Sequence, residues 1–469
     1  MSDGLSTALE SRYRARSLWL DGLVEQLLPR PALSGDRDCD VAIVGAGFTG
    51  LWAAYSLASL QPDLRISVVE REIAGFGPSG RNGGWASAGL AGSAQRYARL
   101  RGAEAVRRGE RAMADGVAEI GRVIADEGIE CGWLHSGSLL VATSAPQVAR
   151  LQEAVERRRA FGMGEDDLRL LEPAELARRV RVQGARAASF TPHCGRVDPA
   201  RLARGLALAC ERRGVVIYEG TEAETIEPGR VRCTNGSLRA ASVLRATEAF
   251  TVEQRGQRRR FMPLYSLMIA TEPLPADVWE ELGWEGRETV SDLRHLFFYA
   301  QRSPDDRIAI GGRGAPYRLG SPIDESYERN DSVRTRLQRT IAERFPAAAS
   351  AAITHHWGGP LGVPRDWCCA VQYDPATGFG WAGGYTGHGV VTSNVLGRTL
   401  ADLVLRRETD LVSLPWVGHA SPRWEPEPLR FLASRAIVSV LGSADRAEDR
   451  RDRPARRTKL VQPFMQVRS

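Results

Sequence analysis

The chain has 469 residues, 43% of them hydrophobic, and 63 Lys+Arg against 57 Asp+Glu for a formal net charge of +6. That length exceeds one ordinary domain and leads us to expect two intertwined domains around a cleft. The positive excess sits largely in the arginine-dense tail from Arg446 to Arg468, with acids and bases interspersed elsewhere, which argues against nucleic acid as a partner. Lys459 is the only lysine, so Schiff-base chemistry and lysine-assisted oxygen reduction are excluded away from the tail.

Residues 1–35 read as an arm with a short helix around Ser17-Leu18-Trp19-Leu20 and a proline-rich approach. Val41 to Val44 has the apolar composition of a buried parallel strand. It breaks into Gly45-Ala46-Gly47-Phe48-Thr49-Gly50, a helical pattern to Leu60, a second strand at Arg65–Val69 and an acid, Glu70. Gly45 permits the tight turn, Gly47 lets a pyrophosphate approach the backbone, and Gly50 lets helix and strand pack closely. The helix N-terminus points its free N–H groups at the phosphates, and Glu70 is placed to accept from an adenosine ribose. Val41 to Leu60 carries no charge, yet its glycines and the immediate second strand argue against a membrane span. The stretch starts too late and lacks the basic flank of a secretory signal.

From Arg71 to Trp85 the glycines at 75, 77, 80, 83 and 84 suggest a loop built for close approach to a ligand. Ala91 to Asp126 reads as one long helix, Ser136 to Ala142 as a strand, Pro146 to Leu171 and Pro173 to Val180 as helices. His193–Pro199 turns into a helix, Ala200 to Arg213. Gly214–Thr221 is a strand, and Arg230–Cys233 with Ser237-Leu238 forms a hairpin. Val243–Phe250 is a strand returning to the first core. Phe261–Thr271, Leu296–Gln301 and Arg307–Gly311 alternate as an antiparallel sheet does, and Ser326–Phe345 is helical. Gly383–Val391 forms a second glycine-rich helix start, for a helix ending near Arg406. An apolar helix from Leu429 to Leu441 precedes the basic tail. It suits packing on the first domain or a homodimer contact better than a membrane surface. Seven scattered cysteines without C-x-x-C spacing, and no export signal, lead us to expect reduced thiols, no metal site and a cytoplasmic protein.

Four blocks together resemble the D-amino-acid-oxidase/glycine-oxidase superfamily of FAD-dependent amine oxidoreductases, nearest the γ-glutamylputrescine-oxidase-like branch. They are the first glycine turn with Glu70, Pro78–Gly84, Arg245–Phe250, and Gly384-Tyr385-Thr386-Gly387-His388-Gly389-Val390. The resemblance implies an α/β chain: a Rossmann-like FAD-binding domain (36–92, 191–250 and 352–410) interleaved with an α+β, antiparallel-sheet substrate domain (93–190 and 251–351). Residues 411–469 would be a C-terminal helix and tail.

It further implies that Gly45, Gly47, Phe48, Thr49, Gly50, Glu70 and Arg71 hold the ADP half. Ser79, Gly80, Arg81, Asn82, Gly83 and Gly84 would run beside the isoalloxazine and pyrophosphate, with Thr247 near the cofactor and Ala223 near the adenine. The helix entered through Gly384, Gly387, His388, Gly389 and Val390 would aim its positive end at the flavin N1–C2=O edge. Relatives with covalent flavin carry a cysteine near Trp357-Gly358-Gly359; here there is none, so non-covalent FAD is expected. The lysine that sarcosine-oxidase-like relatives place over N5 is also missing.

An amine must be neutral to give up hydride, which favours an apolar, aromatic pocket. Alternation puts Phe297 and Tyr299 on one side of their strand, and Trp85 is a further wall candidate. His295 is a candidate base, His388 a cofactor contact, and Arg313 a candidate for a substrate carboxylate. The expected reaction is oxidation of an amine or amino acid to an imine, with hydride passing to flavin N5, O2 as electron acceptor, and an aldehyde or oxo product after hydrolysis. The alternatives are an amine dehydrogenase using another acceptor, or a non-catalytic flavin- or nucleotide-binding sensor.

Overall fold

The computed structural model describes residues 3–312, 314 and 317–461. Two eight-stranded sheets organise it. The first runs in the order Ala370–Asp374, Phe379–Gly383, Gly236–Arg245, Arg37–Val44, Ile66–Val69, Val216–Tyr218, with a hairpin from Ala223–Glu227 and Arg230–Cys233 attached. Its centre is parallel: Arg37–Val44 pairs with Gly236–Arg245 on one side and Ile66–Val69 on the other. Val41–Val44 is buried throughout, because helix Phe48–Leu60 covers one face and a second apolar cluster the other.

The second sheet runs Ile353–Val363, Met262–Thr271, Ile308–Gly312, Phe298–Arg302, Thr289–Asp292, Ser138–Ala142, Ala187–Thr191, Arg169–Leu171. It is antiparallel as expected except for one parallel pair, Thr289–Asp292 with Ser138–Ala142. Helix Asp331–Arg344 seals its outer face through Val333, Leu337 and Ile341. The inner face turns toward the glycine loop of the first domain, where Trp85–Ser87 and Cys194–Arg196 make a two-stranded ribbon.

Several expected elements differ, each for a local reason. The helix expected over Ala91–Asp126 is two, Ala94–Arg101 and Ala103–Asp126, broken at Gly102 with φ +85°. The longer one sends Val106, Met113, Val117 and Ile120 into the nucleotide-side core, not into the second sheet. Helix Ala145–Ala160 stops before Gly162 (φ +93°), and Arg169–Leu171 is an edge strand. The expected helix at Ser326–Phe345 begins only at Asp331, where the Asn330 side chain accepts from Val333 N–H. Gly236–Arg245 is one continuous strand that ends at Arg245, short of the expected Phe250. There the chain turns through Glu248, at φ +41°, into the 3-10 helix Glu248–Glu253. The C-terminal helix runs on to Arg451.

Candidate functional site

The first glycine turn is built tightly. Gly45 adopts φ +105°, donates to the Val69 carbonyl at 2.8 Å, and leaves no room for a Cβ, which would lie 2.7 Å from the Ala246 oxygen. Gly47 caps helix Phe48–Leu60 with backbone only, and a Cβ there would lie 2.8 Å from Ser79 Oγ. Ser79 Oγ accepts from Phe48 N–H at 2.9 Å, so the second loop is tied to the helix start. Glu70 accepts from Ala46 N–H at 2.9 Å and Glu72 N–H at 3.1 Å. Burial raises its carboxyl against the pull of those amides. Arg71 instead lies over the Phe250 ring at 5.2 Å and pairs with Glu253 at 3.2 Å. Ala223 stands partly exposed on the hairpin strand beyond Glu70.

The loop through Gly84 is held by its own polar groups. The Asn82 amide donates to the Ser79 carbonyl at 2.8 Å, and its Oδ1 accepts from Gly84 N–H at 2.8 Å. Arg81 is buried; its Nη1 reaches Glu328 Oε2 at 2.5 Å and the Gly358 carbonyl at 2.9 Å. Gly80 sits in a short 3-10 turn under Gly75. Gly83 must be glycine, since a Cβ would lie 2.7 Å from the Tyr299 ring. The side chain of Gln301 donates to the Gly83 carbonyl at 2.5 Å.

The second glycine turn meets the first from across the sheet. Tyr385 OH and Thr49 Oγ1 share a 2.7 Å hydrogen bond, and Gly397 lets the two helices touch, its Cβ position lying 2.9 Å from Ala53 N. Gly384 and Gly387 take φ +86° and +105°. Gly387 and His388 are exposed, and the space beyond the Gly387 Cα is open. His388 leans on Gly89, where a Cβ would lie 2.6 Å from Nδ1. Gly389 and Val390 begin helix Gly389–Val404, whose first-turn N–H groups lie outside its ladder. Thr247 Oγ1 bonds Thr251 Oγ1 at 2.8 Å.

Glu248 was not singled out from the sequence. Its carboxylate accepts from Gly362 N–H at 2.6 Å, Gly384 N–H at 3.2 Å and Tyr385 N–H at 3.4 Å. Burial pushes it up to about 7 in spite of those donors. Its signal in the sequence is a lone acid inside Arg245–Phe250; its partners come from distant segments.

On the inner face of the second sheet Tyr299 OH and Ser266 Oγ are 2.7 Å apart, and burial pushes the phenol up to about 12. Trp85 meets Tyr299 edge-on at 6.0 Å, and the Phe297 ring lies 6.5 Å away, as alternation requires. The Tyr299 and Trp85 rings lie against Gly83. His295 is placed elsewhere: its Nε2 faces Glu448 at 3.4 Å and Arg150 at 3.5 Å, and its N–H donates to Asp445 at 2.9 Å. That set docks the C-terminal helix. Arg313 lies outside the described residues.

All seven cysteines are free and buried. Asp366, Cys368 and His419 converge, but His419 Nε2 bonds Asp366 directly at 2.8 Å and Arg96 stands 3.3 Å from the same carboxylate. Burial pushes the Cys368 thiol up to about 11. No helix among the described residues is long and apolar enough to cross a membrane.

The arrangement suits a dinucleotide with a planar ring. Two helix starts converge, one glycine opens onto free space, and the Gln301 Oε1 and Trp85 Nε1 atoms beside Gly83 are buried without a partner.

Comparison with known proteins agrees. Residues 40–403 match the family described as DAO, FAD dependent oxidoreductase. The probable oxidoreductase OrdL of Rhizobium meliloti (strain 1021) is 30% identical over 400 residues, covering 84% of this chain and 89% of that protein. The gamma-glutamylputrescine oxidoreductase of Escherichia coli (strain K12) is 29% identical over 384 residues, covering 80% and 86%. The crystal structure of glycine oxidase from Geobacillus kaustophilus shares the fold, with a TM-score of 0.67 at 22% identity over 82% of this chain and 100% of that one.

Proposed function

We propose, from the premise that this chain belongs to the DAO family of FAD dependent oxidoreductases, that it oxidises the C–N bond of a primary or secondary amine or an amino acid. At the coarser level it is a FAD-dependent oxidoreductase of the amine/amino-acid oxidase type. The Gly45–Gly50 turn, Glu70 and Ser79 would hold the nucleotide half, and Gly83–Trp85 with the Gly387–Val390 helix start the ring half. Bound there, FAD supplies a two-electron acceptor for the C–H bond beside nitrogen.

The chain's part is to present the amine uncharged. The observation that carries this reading is the wall of Tyr299, Ser266, Trp85 and Phe297, described residues whose own side chains are uncharged rings and hydroxyls. Such a wall disfavours an ammonium and orients the carbon by contact. The positive end of helix Gly389–Val404 would favour negative charge on a ring held beside it. Attachment is non-covalent in this reading: Trp357-Gly358-Gly359 has no cysteine, and Cys368 and Cys369 are buried thiols.

A second reading, a dehydrogenase passing electrons to an acceptor other than O2, is favoured by one observation: the sole lysine is Lys459. Anaerobic titration of the flavin-loaded protein with a panel of amines and amino acids tests both. Bleaching near 450 nm followed by peroxide on admitting air supports the oxidase. Bleaching without peroxide selects the dehydrogenase. A flavin that no amine bleaches contradicts amine oxidation and leaves the sensor.

A further inference from the structure

The N-terminal segment, Asp3 to Asp21, is folded across the place where the two domains meet. Helix Asp3–Arg14 and the turn Leu18–Asp21 bury Tyr13, Leu18, Trp19 and Leu20 in a small core of their own. That core contains Phe76 from the glycine loop and Trp357 from the second sheet.

Its polar contacts fall on the two stretches that flank the cofactor cleft. Trp19 Nε1 donates to the Asn82 carbonyl at 2.8 Å, and Trp357 Nε1 donates to the preceding carbonyl, that of Arg81, at 2.9 Å. The two indoles meet edge-on, their centroids 6.3 Å apart. Two successive carbonyls of the loop are thus gripped by a pair of rings that brace each other. Arg16 and Arg81 share one carboxylate, Glu328, so the arm and the loop are joined through an acid of the second domain. Arg12 reaches Glu72 at 2.9 Å and Glu325 at 2.7 Å, and Glu72 N–H in turn donates to Glu70.

We propose that the arm is a strap belonging to the cofactor site, with Trp19 and Arg16 as positioning residues that set the Arg81–Gly84 loop for FAD. Neither touches the cofactor; both act through the loop's backbone and Arg81. Asn82 already spends its side chain inside the loop, on Ser79 and Gly84, so the carbonyl held by Trp19 fixes the loop's pose against the rest of the protein. Arg81, buried and with Nη2 unpartnered, depends on Glu328 to keep its charge in place, and Glu328 is shared with Arg16. The proposal rests on FAD binding, not on the choice of amine.

The test compares Trp19→Phe, which keeps one aromatic ring but removes the donor and part of the indole's volume, with Arg16→Met and with Leu139→Ala, a cavity-forming core change in the second sheet away from the arm. FAD dissociation constants and off-rates are read by flavin fluorescence on full-length protein well below its melting temperature, with visible circular dichroism of the bound flavin. We expect Trp19→Phe to weaken FAD about tenfold, the factor one ordinary hydrogen bond is worth, and to change the dichroism. Arg16→Met should do more. Leu139→Ala should lower the melting temperature and leave both readouts unchanged. If the arm variants lose FAD only in proportion to their loss of stability, matching Leu139→Ala, the strap is plain packing and the proposal is wrong. Wild-type protein that takes up no FAD would instead contradict the family's cofactor chemistry itself.

Discussion

At the scale of single residues, the first turn was the most legible part of the chain because Gly50 answers to its own motif and Gly47 to the next loop, with only Gly45 set against a distant segment, at Ala246. Gly47 is the sharpest case. A side chain there drives into Ser79 Oγ, which holds Phe48 N–H, at the turn we propose for the pyrophosphate. Gly47→Val should therefore abolish FAD retention through gel filtration while the far-ultraviolet spectrum stays native; full flavin content would count against the turn. Glu248 was not legible, because its three amide partners lie 114, 136 and 137 residues away. Its carboxyl is raised from 4.5 to about 7 by burial, so the folded apoprotein holds a proton that the unfolded chain gives up. Stability from this group is thus lost as pH rises from 4.5 through 7. Relative to wild type, Glu248→Gln should be more stable at pH 8 than at pH 5 in urea titrations, and a pH-independent difference would show that the carboxylate is not strained. His295 carries the opposite lesson: the residue type suggested a base, but its partners Asp445 and Glu448 sit on a helix some 150 residues later.

At the scale of elements, apolar runs and caps predicted most helices and strands, and the misses fall where a glycine or an acid changes the backbone. Gly102 breaks a helix whose hydrophobic pattern continues past it, and the strand Gly236–Arg245 stops short of the apolar run to Phe250, where Glu248 turns the chain into a 3-10 helix. What no pattern reveals is which helices touch. Gly397 against Ala53, and Gly116 against Val391 and Val395, bring three helices close enough to share one core. Gly397→Leu should cost about 3 kcal/mol by overpacking and lower FAD affinity, since both helix starts move together; a melting curve within a degree of wild type would refute that contact. The C-terminal helix is docked by acids rather than by the apolar stripe its sequence advertised. Burial would raise Glu448, but hydrogen bonds from His295, Arg150 and Ala455 N–H hold it down at about 2. Its contribution is therefore complete above pH 4.5 and lost as pH falls toward 2. Glu448→Ala should cost about 3 kcal/mol at neutral pH, as breaking a buried pair does, and flatten the acid limb of the stability curve.

At the scale of the whole molecule, the interleaving of two domains was readable from the order of the four blocks, because a parallel sheet must be left and re-entered through long crossovers. The division between the domains was less readable. Helix Ala103–Asp126 follows the loop in sequence yet packs into the nucleotide-side core, and the N-terminal arm reaches both halves. The wall we propose for the substrate was suggested only by residue type, since Ser266, Tyr299 and Trp85 come from three separate strands. The two glycine turns are held together by the Thr49–Tyr385 bond, and the Trp85 and Tyr299 rings lie against Gly83 in the loop tied to the first turn. The most direct test is equilibrium titration of flavin-free protein with FAD, wild type beside Gly47→Val, followed by visible spectroscopy. We expect the wild type to bind one FAD per chain and turn yellow while the variant stays colourless. A wild-type protein that stays colourless in excess FAD, or a variant that binds as tightly as wild type, would contradict the joint grip of the two turns on one cofactor.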